Sequence, residues 1–293
     1  MRWQGRKQSD NIEDRRGSGS GGGRFPGGRG GMGFGGLIVV LIGYFVFGVD
    51  LTGMVSGNSA PTAQVATQQS AGPVKQTGEE AQLRELSGVV LASTEEAWAG
   101  YFQKHGATYR EPKMVLYRGA TSTACGTGQS AMGPFYCPAD EKVYLDLAFY
   151  DDMKNQLRAE GDFAFAYVIA HEVGHHVQNL LGISEKMDQM RGRVSPTQYN
   201  ALSVRLELQA DCFAGVWAHK SQESRQTLEA GDIESAMNAA AKIGDDALQR
   251  SQGGAVVPDS FTHGTSAQRQ RWFNAGLQAG SIRACDTFNA KNL

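Results

Sequence analysis

The spacing of apolar residues changes along the chain from short runs to longer helical patterns. Near the middle, β-branched and aromatic residues form brief stretches bounded by Gly, Ser and Pro, as strands do. These stretches predict strands at residues 113–118, 134–137 and 143–147. Further on, apolar residues recur three or four positions apart, which is typical of helices.

Helices are predicted at residues 79–91, 93–105, 164–181, 196–220, 233–250 and 266–277. Polar residues mark several of their starts. Ser93 with Glu96 forms a possible capping box, and Asp162, Ser195 and Asp232 are predicted N-caps. Strands followed by helices indicate an α+β domain that is mostly helical with a small sheet.

The helix predicted at residues 164–181 is apolar on nearly every side, so we expect it to be buried. It nevertheless holds His171, Glu172 and His175 in the pattern H-E-x-x-H. Residues four apart share one face of a helix, so both imidazoles can bind one metal ion. Glu172 lies beside them, within reach of a water at that ion. This pattern is typical of zinc-assisted hydrolysis, with one Zn²⁺ as the cofactor.

The next long helix offers a third ligand. Glu207 and Asp211 are four residues apart and therefore share a face. Glu207 is the predicted third zinc ligand, and Asp211 is placed to accept a hydrogen bond from the far ring nitrogen of a ligating histidine. The alternative is that Glu207 pairs with Arg205 or Lys220 at the surface. The apolar run C-F-A-G-V-W that follows favours a buried helix and thus the ligand role.

Charge is unevenly distributed along the 293 residues, whose formal net charge is −2. Residues 1–30 carry seven Lys or Arg and three Asp or Glu, which leaves 21 basic and 27 acidic residues in the remainder. That remainder has a net charge of −6. Nucleic-acid binding is therefore disfavoured, because phosphate backbones are bound by basic surfaces.

The N-terminal part is expected to tether the domain to a membrane. Residues 1–36, charged and then Gly-rich, are expected to be a flexible cytoplasmic segment, because they cannot bury enough apolar surface to fold. Residues 37–55 are the predicted transmembrane anchor, and their apolar run at 37–49 contains no charge. Residues 56–78 are the predicted linker, and residues 79–293 are the predicted metallopeptidase domain.

Lys and Arg precede the apolar run, whereas none occurs in residues 50–74. By the positive-inside rule, the N-terminus is expected in the cytoplasm and the domain on the other side of the membrane. A cleaved signal peptide is the alternative. It is disfavoured because about thirty residues precede the apolar run, which exceeds a normal signal-peptide n-region.

The four cysteines are expected to form two disulfides if the domain lies outside the cytoplasm. Cys125 and Cys137 flank a short loop and are expected to pair, and Cys212 and Cys285 would then be the second pair. In the cytoplasm, all four would be reduced. Cys212 is a poor candidate nucleophile, since no base lies beside it in the sequence.

Several segments together carry a family resemblance. They are HEVGHH, ELQADCFAGVW, YCPAD and SFTHGTSAQR, with an opening MRWQGR followed by SDN and EDRR. The chain resembles the bacterial putative neutral zinc metallopeptidase family over nearly its whole length. The resemblance implies a zincin-like fold, with His171, His175 and Glu207 as zinc ligands and Glu172 as the catalytic base.

A looser similarity is to membrane gluzincins such as the prenyl-protein endopeptidases, which carry T-H-P-x-x-x-x-R near the site. Here His263 follows Thr262, but Gly264 replaces the proline, and Arg269 stands at the matching distance. His263 is a candidate catalytic residue that donates a hydrogen bond to the oxyanion. Packing against the ligand helix is the alternative role for His263.

These patterns predict a membrane-anchored zinc endopeptidase that acts on peptides or proteins. With the resemblance to a bacterial family, the expected location is the bacterial inner membrane, with the N-terminus in the cytoplasm and the domain in the periplasm. In that reaction Glu172 accepts the proton of a zinc-activated water. One alternative is a non-catalytic zinc-binding scaffold or regulatory protein of the cell envelope. Another is a thiol hydrolase that uses Cys212.

Overall fold

The computed structural model describes residues 1–17, 74, 76–251, 253 and 255–293. In this part of the chain, the main sheet has the strand order β1-β2-β6-β5. Its strands are β1 (Ile12–Asp14), β2 (Lys113–Tyr117), β5 (Phe135–Cys137) and β6 (Lys142–Asp146). β1, β2 and β6 run parallel, whereas β5 is antiparallel to β6 and forms one edge. A separate hairpin consists of β3 (Ala120–Thr123) and β4 (Gly126–Gln129).

The three predicted strands are confirmed to within one residue at each end, as β2, β5 and β6. β1 and the hairpin were not predicted. β1 is only three residues long and two of these are acidic, so it carries no apolar pattern.

The helices are α1 (Gly78–Lys104), α2 (Phe149–Asn155), α3 (Asp162–Leu180), α4 (Ile183–Met190), α5 (Pro196–Arg225), α6 (Asp232–Lys242), α7 (Asp245–Ser251) and α8 (Ser266–Ala279). An α+β domain that is mostly helical is therefore confirmed for the described residues. Most helix predictions hold to within a few residues at each end. The exceptions are a predicted break near Ser93 that is absent and an unpredicted break at Gly244.

The prediction of two helices before β2 is wrong, because α1 is continuous through Ser93. The buried Ser93 hydroxyl donates to Ser221 Oγ at 3.1 Å and accepts from the Trp217 indole at 3.0 Å. Both partners lie on α5. The hydroxyl is therefore satisfied by a neighbouring helix and does not act as a cap.

The Asp162 and Asp232 caps are also wrong, since each residue is the first of its helix and a glycine precedes it as N-cap. Ser195 is confirmed as an N-cap, in a capping box with Gln198. The helix predicted at 233–250 is divided into α6 and α7 at Gly244. A Cβ there would lie 2.4 Å from the backbone nitrogen of Ser266, so only glycine fits.

α3 is the buried centre of the domain, as its apolar sequence predicted. Fifteen of its residues are buried, between Phe163 and Gln178. α5, α6, α1 and strands β5 and β6 pack around it. Its two histidines and its glutamate are therefore held in an environment where unpaired polar groups are costly.

α5 and α8 approach each other unusually closely, because glycines lie at their contact. A Cβ on Gly276 would lie 1.9 Å from the carbonyl oxygen of Cys212, and one on Gly215 would lie 2.1 Å from that of Phe273. The disulfide Cys212–Cys285 ties α5 to the segment after α8. The helix that bears Glu207 and Asp211 is thus fixed along one side.

Residues 1–17 differ from the flexible segment that the sequence predicted, since they lie along the domain. Trp3 is buried, with 5% of its surface exposed, and β1 pairs in parallel with β2. Tertiary contacts therefore order a segment whose composition alone favours disorder.

The predicted anchor at 37–55 lies outside the described residues, as does most of the predicted linker at 56–78. Within the described part of the chain, no helix combines the length and apolar character that a bilayer crossing requires.

Replacing Gly276 with Ala should destabilise the domain, because the new methyl would overlap the α5 backbone. Overpacking of this kind costs about 3 kcal/mol in the free energy of unfolding. Gly100→Ala is the matched control on α1, where nothing lies within 4 Å of the place that the new methyl would take. It should leave stability unchanged or raise it by about 1 kcal/mol. Denaturant unfolding under oxidising conditions measures both, and equal values would contradict the close helix contact.

Candidate metal centre

Three side chains from two helices converge on one point. His171 Nε2 lies 3.2 Å from His175 Nε2 and 3.2 Å from Glu207 Oε2. His175 Nε2 lies 3.4 Å from Glu207 Oε1. The two histidines are one turn apart on α3, and Glu207 reaches them from α5. The sequence-predicted ligand set is therefore brought together by the fold.

The spacing of these atoms fits a zinc ion. Tetrahedral ligands with bonds of about 2.05 Å lie about 3.3 Å apart, which is the separation seen here. The set of two imidazoles and one carboxylate is also a common catalytic zinc set, because it leaves a fourth position open. The residues present therefore fit Zn²⁺.

Hydrogen bonds behind the histidines set their orientation. Nδ1 of His171 lies 2.8 Å from Asp211 Oδ1, and Nδ1 of His175 lies 2.8 Å from Gln178 Oε1. Both partners are acceptors, so each neutral ring carries its proton on Nδ1 and turns the Nε2 lone pair to the centre. Lone pairs that face one another are stabilised only by a cation, which here is a metal ion or a proton.

Asp211 is fully buried and is held by three further donors. Tyr167 Oη donates to Oδ1 at 2.6 Å, and Arg269 donates through Nε at 2.8 Å and Nη2 at 2.9 Å. Burial favours the neutral acid, but the Arg269 guanidinium and His171 outweigh it and lower the pKa of Asp211. Asp211 is therefore an anion that fixes the first ligand, as the sequence predicted for its position.

Gln178 is fixed in a similar way on the other side of the site. Its amide nitrogen donates to the Leu206 carbonyl at 2.7 Å and to Gln209 Oε1 at 3.1 Å. Only its oxygen is left to face His175. Gln209 in turn donates to the carbonyl of Cys285 at 3.0 Å.

The protein's own charges determine the protonation of the ligands before an ion binds. Burial lowers the pKa of His171, but the carboxylates of Asp211 and Glu207 outweigh it and raise that pKa to about 10. Burial alone would raise the pKa of Glu207, yet His175 and His171 hold it well below its usual range. The site therefore holds a proton in the place where a metal would bind.

Glu172 is the remaining member of the motif and is only 8% exposed. Burial raises its pKa, with partial opposition from His171 and His175. A carboxylate whose pKa is raised towards neutrality is suited to take up and release a proton. Glu172 directly follows His171 on α3, and its role as the catalytic base stays a prediction.

His263 lies on the loop before α8, near enough to Glu207 to lower the pKa of that carboxylate. Oδ2 of Asp245 accepts the backbone amides of Thr262, His263 and Gly264 at 2.8, 2.7 and 3.0 Å. The other oxygen of Asp245 lies 3.2 Å from His263 Nδ1. Burial lowers the pKa of His263, but Asp245 and Glu207 reverse this and raise it. One carboxylate therefore orients both the loop and the ring.

His176 follows the second ligand but has a different position. It is fully buried, with Nδ1 3.0 Å from Tyr136 Oη and Nε2 2.6 Å from the carbonyl of Arg110. Asn179 also donates to Tyr136 Oη, at 3.1 Å. Since Tyr136 lies on β5, these contacts hold this edge strand against α3, the helix that carries His171 and His175.

The disulfides Cys125–Cys137 and Cys212–Cys285 are both present, as predicted. The thiol-hydrolase alternative fails, because the Cys212 sulfur is in a disulfide. Sequence reasoning missed Tyr167, Gln178 and Asp245. Two of these could have been found from the helical repeat, because Tyr167 lies one turn before His171 and Gln178 lies three residues after His175. No pattern in the neighbouring sequence marks Asp245.

The family of the chain agrees with this donor set. The chain belongs to the family described as "Putative neutral zinc metallopeptidase", which matches residues 1–288. It is similar to "Uncharacterized protein YpfJ" of Escherichia coli strain K12, with 55% identity over 295 residues, covering 98% of this chain and 99% of the relative. It is also similar to "Uncharacterized protein Rv2575" of Mycobacterium tuberculosis strain H37Rv, with 43% identity over 195 residues, covering 63% of this chain and 65% of the relative. No solved structure matches significantly.

Zinc affinity should rise steadily with pH, because zinc must displace the proton that His171 retains up to a pKa of about 10. We expect the zinc Kd to fall about tenfold per pH unit between pH 7 and 8.5, measured against a competing chelator. A histidine with an ordinary pKa would give a nearly flat Kd over this range. Asp211→Asn removes one carboxylate that raises the pKa of His171, so its slope should be shallower. A flat profile for the unmodified protein contradicts the prediction.

Proposed function

We propose that this protein is a zinc-dependent endopeptidase. The observation that carries the proposal is the convergence of His171, His175 and Glu207 at the spacing of zinc ligands. The buried carboxylate of Glu172 lies beside these three. A site that only stabilises a fold is usually closed by four protein ligands and has no use for an additional buried carboxylate.

Zn²⁺ held by these three residues would supply Lewis acidity, polarising a peptide carbonyl and making water acidic. Glu172 accepts a proton from the attacking water and then delivers it to the leaving amine. The ring of His263, fixed through Nδ1 by Asp245, turns its Nε2 away from that carboxylate and donates a hydrogen bond to the oxyanion. Asp211 and Gln178 hold the two ligand rings throughout.

The substrate is an extended peptide that lies along β5. This strand forms an edge of the sheet and lies beside α3, held there by Tyr136 and His176. A peptide in the extended conformation can add to a sheet along an edge strand. The disulfide Cys125–Cys137 ties the end of β5 to the β3–β4 hairpin, which limits movement of that edge.

The domain acts outside the cytoplasm, in the bacterial cell envelope. Two disulfides join all four cysteines, and such bonds persist in oxidising compartments. The uncharged apolar run at residues 37–49 associates the chain with the membrane.

Glu172→Gln should retain zinc and lose cleavage, since the amide cannot accept a proton from water. A general base contributes about 10² to 10⁴ in rate, so we expect a loss of that size. The readout is digestion of an unbiased peptide library, with zinc content measured on the same samples. Chelation should abolish wild-type cleavage, and zinc should restore it. If the zinc-loaded wild type does not digest the library, the protein is a non-catalytic zinc protein. If the variant digests it as fast as the wild type, Glu172 is not the base.

His263→Ala should lower kcat by about 10² to 10³, the usual cost of one lost oxyanion donor. Zinc content should not change, because His263 is not among the three ligands. Asp245→Asn tests the orientation of the ring and should give a smaller loss in kcat. If His263 only packs against its neighbours, the variant will melt at a lower temperature while kcat stays unchanged.

A further inference from the structure

Residues 1–17 form a strap across the domain, and several elements of the domain hold it. The indole of Trp3 donates to Asp162, the first residue of α3, at 2.6 Å. Arg6 donates to the carbonyl of Arg225 at the end of α5, at 2.8 Å. The Ser9 amide donates to the carbonyl of Gly88 on α1, at 2.9 Å. The strap therefore joins α3 to its two neighbours α5 and α1.

The end of the strap is part of the main sheet. Ile12 and Asp14 of β1 lie opposite Met114 and Leu116 of β2. The Met114 amide donates to the carbonyl of Asn11 at 2.9 Å, and the Arg15 amide to that of Leu116 at 2.8 Å. These are backbone pairings along a strand in which every residue except Lys113 is buried. The strap is thus built into the sheet.

Charged side chains fix the strap further. Arg16 is 5% exposed and makes two hydrogen bonds with Asp14, from Nε at 2.9 Å and Nη2 at 2.6 Å. Arg16 also lies 3.6 Å from Glu80 at the start of α1. Asp14 belongs to the strap, so of these contacts the one with Glu80 joins Arg16 to the domain. Separating the strap from the domain would break it and expose a buried guanidinium, which has a cost.

The apolar run at residues 37–49 lies between the strap and α1 in the sequence. If that run crossed a bilayer once, residues 1–17 and residues 76–293 would be on opposite sides. β1 could then not pair with β2, and Trp3 could not reach Asp162. The pairing and a single crossing are mutually exclusive.

We propose that the strap and the zinc-site domain lie on the same side of the membrane. The disulfides place that side outside the cytoplasm. This replaces the sequence-based expectation of a cytoplasmic N-terminus opposite a periplasmic domain, which rested on the seven Lys and Arg residues that precede the apolar run and on their absence from residues 50–74. Arg6 and Arg16 among them are engaged with the domain, so their charge has a structural explanation that is independent of membrane topology.

Cysteine labelling of the full chain in bacterial cells tests the shared side. Gln4→Cys places a thiol on the exposed surface of the strap, and Thr108→Cys places one on the exposed surface of the domain. The native cysteines are in disulfides and do not react. After the outer membrane is opened, a membrane-impermeant maleimide should label both positions to the same extent. A cytoplasmic protein with an exposed thiol, which should stay unlabelled, is the control for inner-membrane integrity.

Labelling of Thr108→Cys alone, with Gln4→Cys reacting only after the inner membrane is disrupted, would overturn the proposal. If both positions need that disruption, the shared side is supported and the placement outside the cytoplasm is wrong. Neither result depends on peptidase activity, so the two proposals can fail separately.

The purified chain tests whether the strap is part of the fold. Trp3→Ala should lower the melting temperature by about 10 °C, because it removes a buried indole and leaves Asp162 without its donor. Gln4→Ala, at the exposed neighbouring position, should leave the melting temperature unchanged. If both variants melt with the wild type, the strap contributes nothing to the domain and the basis of the proposal is lost.

Discussion

Asp211 is the group on which the site depends most. It is an anion at the centre of the domain, and it is tolerated there because Arg269, Tyr167 and His171 all donate to it. Removing one partner would leave a buried charge unmatched, which is far more costly than losing an ordinary hydrogen bond. The same contacts that make the anion tolerable also fix the His171 ring. Stability and ligand geometry are therefore set by one cluster.

The close contact between α5 and α8 around Gly276 allows this cluster to form. Arg269 lies on α8 and Asp211 on α5, so their ion pair requires these helices to lie close together. The glycines at the contact allow that approach, and the disulfide from Cys212 holds it. Backbone packing, a covalent bond and a buried ion pair thus act on the same pair of helices.

The sequence predicted those parts of the structure that follow a regular pattern over a few residues. H-E-x-x-H and the pair Glu207 and Asp211 follow the helical period, so the two faces that form the site could be recognised without coordinates. The strands β2, β5 and β6 have apolar residues bounded by turn residues and were found for that reason.

Features that depend on partners distant in sequence could not be predicted in the same way. Ser93 has the signature of a cap, but hydrogen bonds to α5 keep it inside a helix. Asp245 orients His263 from 18 residues away, and nothing in its local sequence indicates this. β1 has the composition of a disordered tail and is ordered by contacts with residues about one hundred positions later. Composition predicts how a segment behaves in isolation, whereas the structure of these segments depends on contacts with distant parts of the chain.

The amide chain from His175 through Gln178 and Gln209 ends at the carbonyl of Cys285, whose sulfur is bonded to Cys212. The orientation of the His175 ring is therefore connected to a bond that forms only by oxidation. A newly made chain in a reducing cytosol lacks that bond, and the far end of its amide chain has no covalent support. Reduction of this one bond would therefore loosen the position of a histidine ring that it never touches.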